Sequence, residues 1–309
     1  MKEITLEELL EAGCHFGHQV TRGNPKARDY VFEARDNIHI IDLAKTKEGL
    51  EAAGVFIRDQ GAQNKVLVVV GTKRQARGIV EEEVKRAVQQ IGEEQTGLFS
   101  VTNRWIGGIL TNFSEVSKNF EKLKDLSKRL ENEEEKAKFT KKEIGLWFKE
   151  KQKLEALYGG IYNMKQKPDL LFIIDTHLED LVVRETIKEN VKTVGIVDTN
   201  ANPEVVDYPI PANDDATGSI KLIMHYIIDA WIEGKNIAKK REKKASERKE
   251  TVEAKVEAVK KTKKTESKKD LPAARLPDGQ GKAGESKIKT DSKKSAVKKS
   301  KIISKKVGG

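Results

Sequence analysis

Apolar residues in this chain follow two alternating rhythms. Lys65–Val70 (KVLVVV), a β-branched run, Leu170–Ile174 (LLFII) and Thr193–Val197 (TVGIV) are short and nearly continuously apolar. Such runs fit strands covered on both faces of a parallel sheet. Between them apolar positions recur at helical spacing, predicting helices over about 42–63, 73–90 and up to about Asn190. Ile220, Ile223, Ile227 and Trp231 fall on one face of a final helix, and Pro209 and Pro211 bracket a short edge piece. At the front, Thr5 and Glu8 have the spacing of a capping box, Leu6, Leu9 and Leu10 form a stripe, and Gly13 suits a helix stop. Tyr30–Phe32 and Ile38–Ile41 read as two short strands around Glu33–Asn37. Strand–helix alternation predicts an α/β domain with a mainly parallel sheet.

The alternation breaks between Phe113 and Tyr158. Phe113, Val116, Phe120, Leu123, Leu126 and Leu130 recur every three or four residues; Ile144, Trp147, Leu154 and Tyr158 do so after the acidic turn Glu131–Glu135. This predicts an antiparallel helical hairpin inserted at 113–158, between α/β segments 1–112 and 159–234. Lys151 occupies a seam position, which implies a thin interface. With 12 basic and 10 acidic residues, the exposed faces of the hairpin read as solvated rather than uniformly basic.

Charge divides the chain further. The 309 residues carry a net charge of +10, but residues 235–309 hold 26 Lys and Arg against 10 Asp and Glu, so 1–234 carry a net −6. The 235–309 extension reads as a charged helix to about Lys264, then as a disordered basic tail through the Pro- and Gly-rich 271–284. No apolar run approaches the ~20 residues of a membrane span. The acidic N-terminus is neither a secretory signal nor a transit peptide. Cys14 is the single cysteine, so no disulfide can form within the chain. These features predict a soluble intracellular protein.

Val70–Ala76 (VGTKRQA) joins a buried strand to a helix start, the edge where open α/β sheets gather ligands. Free N–H groups and the helix dipole favour phosphate there, and Lys73, Arg74 and Arg77 add cations beside Thr72. The alternative is an ordinary βα turn with surface cations. Asn103, Arg104 and Trp105 open the hairpin; Trp105 can stack on a base or simply be core. Cys14, His15 and His18 resemble a metal triad at first sight, but their spacing does not suit a closed zinc site, so no metal is expected. His39 in a strand and His225 in the last helix read as structural. Asp175, Asp198, Asp214 and Asp215 follow strand ends and could hold Mg²⁺ in a phosphate-ligand or Mg-dependent α/β enzyme. They serve equally as turn and helix-cap residues.

Ten segments together resemble the second small-subunit ribosomal protein family of bacteria: Leu10–Gln19 (LEAGCHFGHQ), Asn24-Pro-Lys26, Asn37–Leu43 (NIHIIDL), Gly71–Ala76 (GTKRQA), Arg104–Phe113 (RWIGGILTNF), Gly159-Gly-Ile161, Lys167-Pro-Asp169, Ile174–His177 (IDTH), Val197–Pro203 (VDTNANP) and Asp207–Asp215 (DYPIPANDD). They keep the family order over about residues 5–234. The resemblance implies a flavodoxin-like three-layer α/β domain with a protruding hairpin, and a structural role in the small ribosomal subunit. It implies small-subunit ribosomal RNA, neighbouring ribosomal proteins and the first small-subunit protein, which captures messenger RNA, as partners. It implies no catalysis, cofactor, membrane or small-molecule substrate. The expected RNA contacts are Arg22, Lys26, Thr72, Lys73, Arg74, Arg77, Asn103, Arg104 and Trp105. Gly23, Ala27 and Gly218 depart from the family's usual residues.

Overall fold

The computed structural model describes residues 3–92 and 96–266, with 245–266 as backbone only. The expected disordered tail lies outside the described residues. Contacts divide the chain into Met1–Thr251 and Val252–Gly309.

The first unit is built on five parallel strands: β4 (Leu67–Val70), β5 (Leu98–Val101), β6 (Leu170–Ile173), β7 (Lys192–Val197) and β8 (Tyr208–Pro211). Their spatial order is β5-β4-β6-β7-β8. Counted from β4, this is the 2-1-3-4-5 order of flavodoxin-like sheets, with the switch point between β4 and β6. Every residue of β4 and β6 is buried, which is why their sequences are continuously apolar. Leu67, Val69 and Phe172 face one core with α2 (Leu43–Ala62), α3 (Arg74–Ile91) and α8 (Thr217–Glu266). Val68, Val70, Leu171 and Ile173 face a second core with Trp105, Ile109, α4 (Phe113–Glu131) and α7 (Asp180–Glu189). Two faces and two cores make three layers.

A second sheet, β1-β3-β2, is antiparallel. It comprises β1 (Phe16–Gln19), β2 (Val31–Arg35) and β3 (Ile38–Ile41). The sequence placed the β2–β3 break over Glu33–Asn37. The strand instead runs on to Arg35, and Asp36 and Asn37 alone turn the chain, with φ of 50° and 62°. Positive φ at both central residues is what a tight hairpin turn demands. Neither β1 nor β5 was expected. Both have four residues, and the polar Ser100 in β5 and His18 in β1 interrupt the apolar signal.

α1 (Leu6–Glu11) has the expected capping box: Glu8 N–H donates to the Thr5 hydroxyl, and Thr5 N–H to the Glu8 carboxylate, each at 3.2 Å. After α4 come the short α5 (Glu133–Lys136) and α6 (Lys141–Tyr158). Contacts of α4 with α6 run in opposite senses, Asn119 meeting Tyr158 and Arg129 lying over Trp147, so the two helices are antiparallel. Val116, Phe120, Leu123 and Leu126 are buried on α4, but only Tyr158 on α6. Lys151 is half-buried.

Packing continues past Gly234: Lys235 and Ala238 are buried, and Asn64 donates to Glu242 at 2.7 Å. The Gly159-Gly160 pair closes the β5 edge. Ser100 N–H donates to Gly160 O at 3.1 Å, and a Cβ at Gly160 would collide with the Ser100 carbonyl. Gly160→Ala is expected to lower stability by about 1–3 kcal/mol, the range for forced overpacking, read as a lower urea midpoint at unchanged m-value.

Candidate nucleic-acid interface

The topology brings the predicted cations to one end of the parallel sheet. Thr72, Lys73, Arg74 and Arg77 follow β4, and Asn103, Arg104 and Trp105 follow β5. Arg22 lines two adjoining clefts of about 310 and 540 Å³, one shared with His18, Asp198 and Asp215, the other with His18, Asp175 and His177. Lys26 is exposed and paired with Glu204.

These residues are not equivalent once folded. Lys73 is expected as a phosphate contact, but its ammonium lies 2.6 Å from Asp215, 2.7 Å from Asp214 and 3.1 Å from Asp175. Its charge is spent inside the protein on three carboxylates of the sheet edge. Burial opposes its charge, but Asp214, Asp215 and Asp175 outweigh that and hold its pKa above the ordinary lysine value. Trp105 is 3% exposed and packs in the second core, so it cannot stack on a base. Thr72 gives its hydroxyl to Glu179, and the Asn103 amide donates to Ala156 O. The Arg77 guanidinium holds Thr72 O at 2.9 Å and Asn103 O at 3.4 Å, tying the β4 and β5 loops together. Arg22, Arg74 and Arg104 are exposed and, among the described residues, have no ion-pair partner.

The carboxylates are arranged around His18. Its Nδ1 lies 3.2 Å from Asp198 and its Nε2 3.6 Å from Asp215. Hydrogen bonding to Asp198 raises the His18 pKa against burial. Asp198 and Asp175 also act as turn residues: Asp175 Oδ1 accepts from His177 N–H at 3.0 Å and Leu178 N–H at 2.8 Å. Asp214 is fully buried, and its Oδ2 has no hydrogen-bond partner among the described residues. Burial, then Asp175 and Asp198, push its pKa up to about 7. His18, Asp198 and Asp214 each offer one donor atom within 4.8 Å of the others. One imidazole with carboxylates is a donor set that first-row divalent cations accept. The sequence set aside a triad of Cys14, His15 and His18, and Cys14 is wholly buried in the first core.

Sequence reading missed Glu185. Its carboxylate, 7% exposed, accepts from Gly108 N–H at 2.7 Å and Leu110 N–H at 3.2 Å, fixing the Arg104–Phe113 segment against α7. Gly108 has φ of +100°, so a glycine is required there. At Gly218 a Cβ would meet Ala12 O at 2.8 Å, so a longer residue there needs the end of α1 to shift.

Residues 9–234 match the family model described as Ribosomal protein S2. The chain is 43% identical over 235 residues to the small ribosomal subunit protein uS2 of Petrotoga mobilis, covering 76% of this chain and 78% of that relative.

Removing Lys73 leaves the buried Asp214 without its ion-pair partner. Lys73→Ala is expected to cost about 3 kcal/mol at neutral pH, the scale for orphaning a buried charge. The sign with pH follows from Asp214. Its folded pKa of about 7 exceeds its ordinary 3.8, so its contribution to stability declines as pH rises through that window. The Lys73→Ala deficit in urea denaturation is therefore expected to be largest at pH 7–8 and to shrink towards pH 4, and adding Asp214→Asn should recover part of it.

Proposed function

As the chain belongs to the ribosomal protein S2 family, we propose that it holds folded small-subunit ribosomal RNA through phosphate contacts at the C-terminal edge of its parallel sheet. It is a structural constituent of the small ribosomal subunit and acts in translation. Arg22, Arg74 and Arg104 are the phosphate contacts. Arg77 and Asn103 brace the loops that carry them, and Lys26 contributes from the flank. Lys73, Thr72 and Trp105 shape the edge without touching RNA. The protein supports subunit assembly and recruitment of the first small-subunit protein, works in the cytoplasm on the ribosome, and needs no catalytic step.

One observation supports this reading above the others. At a sheet edge crowded with carboxylates, these three arginines are exposed and lack acidic partners among the described residues. An unpaired arginine loses nothing internal when it binds phosphate, and its planar fork suits two phosphate oxygens. The paired acids around Lys73 keep RNA away from the centre of the edge and leave the rim to it. No helix among the described residues is long and apolar enough to cross a membrane.

We treat residues 113–158 as an inserted hairpin and the basic residues beyond 234 as an appendage that raises non-specific RNA affinity. The salt dependence of binding to small-subunit ribosomal RNA tests the site. Arg22→Ala/Arg74→Ala/Arg104→Ala should flatten the slope of log affinity against log salt by about two to three units. Lys73→Gln should leave the slope unchanged. An unchanged slope in the triple variant would remove the sheet edge from the interface.

A further inference from the structure

The hairpin residues are nearly balanced in charge, yet folding separates the signs. On α4 and α5, Lys118 pairs with Glu115, Arg129 with Asp125 and Lys136 with Glu133. Across the seam Lys122 takes Glu150, and Glu143 caps α6 by accepting from Thr140 N–H at 2.8 Å. Lys141, Lys142, Lys149 and Lys153 on α6 are exposed and have no acidic partner among the described residues.

At 100° per residue, Lys142, Leu146, Lys149 and Lys153 form one stripe on the side of α6 opposite its seam, at i, i+4, i+7 and i+11. Phe148, Lys141 and Gln152 flank it. The arc from Phe148 round to Leu146 is about 160° wide and contains no acid. Glu143 and Glu150 lie on one side of it and Glu155 on the other. Leu146 is 57% exposed and Phe148 53%, although the same helix buries Tyr158. A solvated helix face does not need two large apolar side chains among unpaired lysines. A polyanion with exposed base faces fits both features: lysines meet phosphates, and an aromatic ring stacks on a base whatever its identity.

We propose that this outward face of α6 is a second RNA-binding surface. Lys142, Lys149 and Lys153 lie along the sugar–phosphate backbone and Phe148 packs on an unpaired base. The inference rests on the RNA-binding reading above and extends it to an element whose sequence predicted only solvated faces. The partner is RNA rather than protein because the exposed charge of the arc is of one sign and about 16 Å long along the helix axis, matching a line of phosphates.

The test measures the full chain binding to small-subunit ribosomal RNA across a salt series, with incorporation into small subunits followed in parallel. Lys142→Ala/Lys149→Ala/Lys153→Ala should weaken binding and flatten the log–log salt slope by about two. The same three positions changed to arginine should keep the slope, which separates lost charge from lost fold. Phe148→Ala should weaken binding roughly tenfold with the slope unchanged. If the alanine triple binds like the parent while Arg22→Ala/Arg74→Ala/Arg104→Ala does not, the α6 assignment is wrong and the sheet-edge site stands. If neither triple changes binding, both RNA assignments fall. Unaltered RNA affinity with lost incorporation into subunits would assign the face to a protein neighbour and overturn the proposal.

Discussion

Burial of the central strands on both faces is the constraint on which the rest of this structure depends. β4 and β6 have no exposed residue, so helices must cover each side and no polar group can leave the sheet sideways. Polar chemistry is forced to the strand ends, as in other open α/β sheets. Thr72, Lys73, Asp175, Asp198 and Asp214 therefore meet within one small volume although they come from four separate parts of the chain.

That crowding decides which cations are free. Four carboxylates at one edge would repel one another and any RNA. Lys73 bridges three of them, and His18 reaches Asp198 and Asp215. With Lys73 and His18 engaged by the carboxylates of the centre, Arg22, Arg74 and Arg104 are left exposed beside it. A lysine beside a helix start looks like a phosphate ligand in one dimension and serves as a counter-ion in three. Trp105 changes in the same way, from a candidate stacking platform to a core residue below the Gly107-Gly108 turn.

The hairpin shows the opposite effect. Its net charge is close to zero, but the acids that pair with cations lie within α4 and α5 or at the seam with Glu150, away from the outer face of α6. A local excess of lysine then appears on the outer face of α6. Pairing thus conceals charge at the sheet edge and exposes it on the hairpin, and neither outcome follows from counting residues.

The parallel core, the helices around it, the edge position of the Pro209–Pro211 strand and the capping box at Thr5 are legible in the amino-acid pattern alone. Each depends on neighbours within a few residues, so the 3.6 and continuous-apolar patterns record it directly. The same pattern places the candidate residues at strand ends, because a βα junction is a local event. β1 and β5 were illegible since four-residue strands carrying Ser100 or His18 are specified by their pairing partners, β3 and β4, rather than by their own pattern. The role of Glu185 lay beyond reach for a similar reason: its hydrogen bonds close on Gly108 and Leu110, more than seventy residues earlier. Which charges cancel is settled in three dimensions, because electrostatic pairing depends on distance in space and strand order sets that distance.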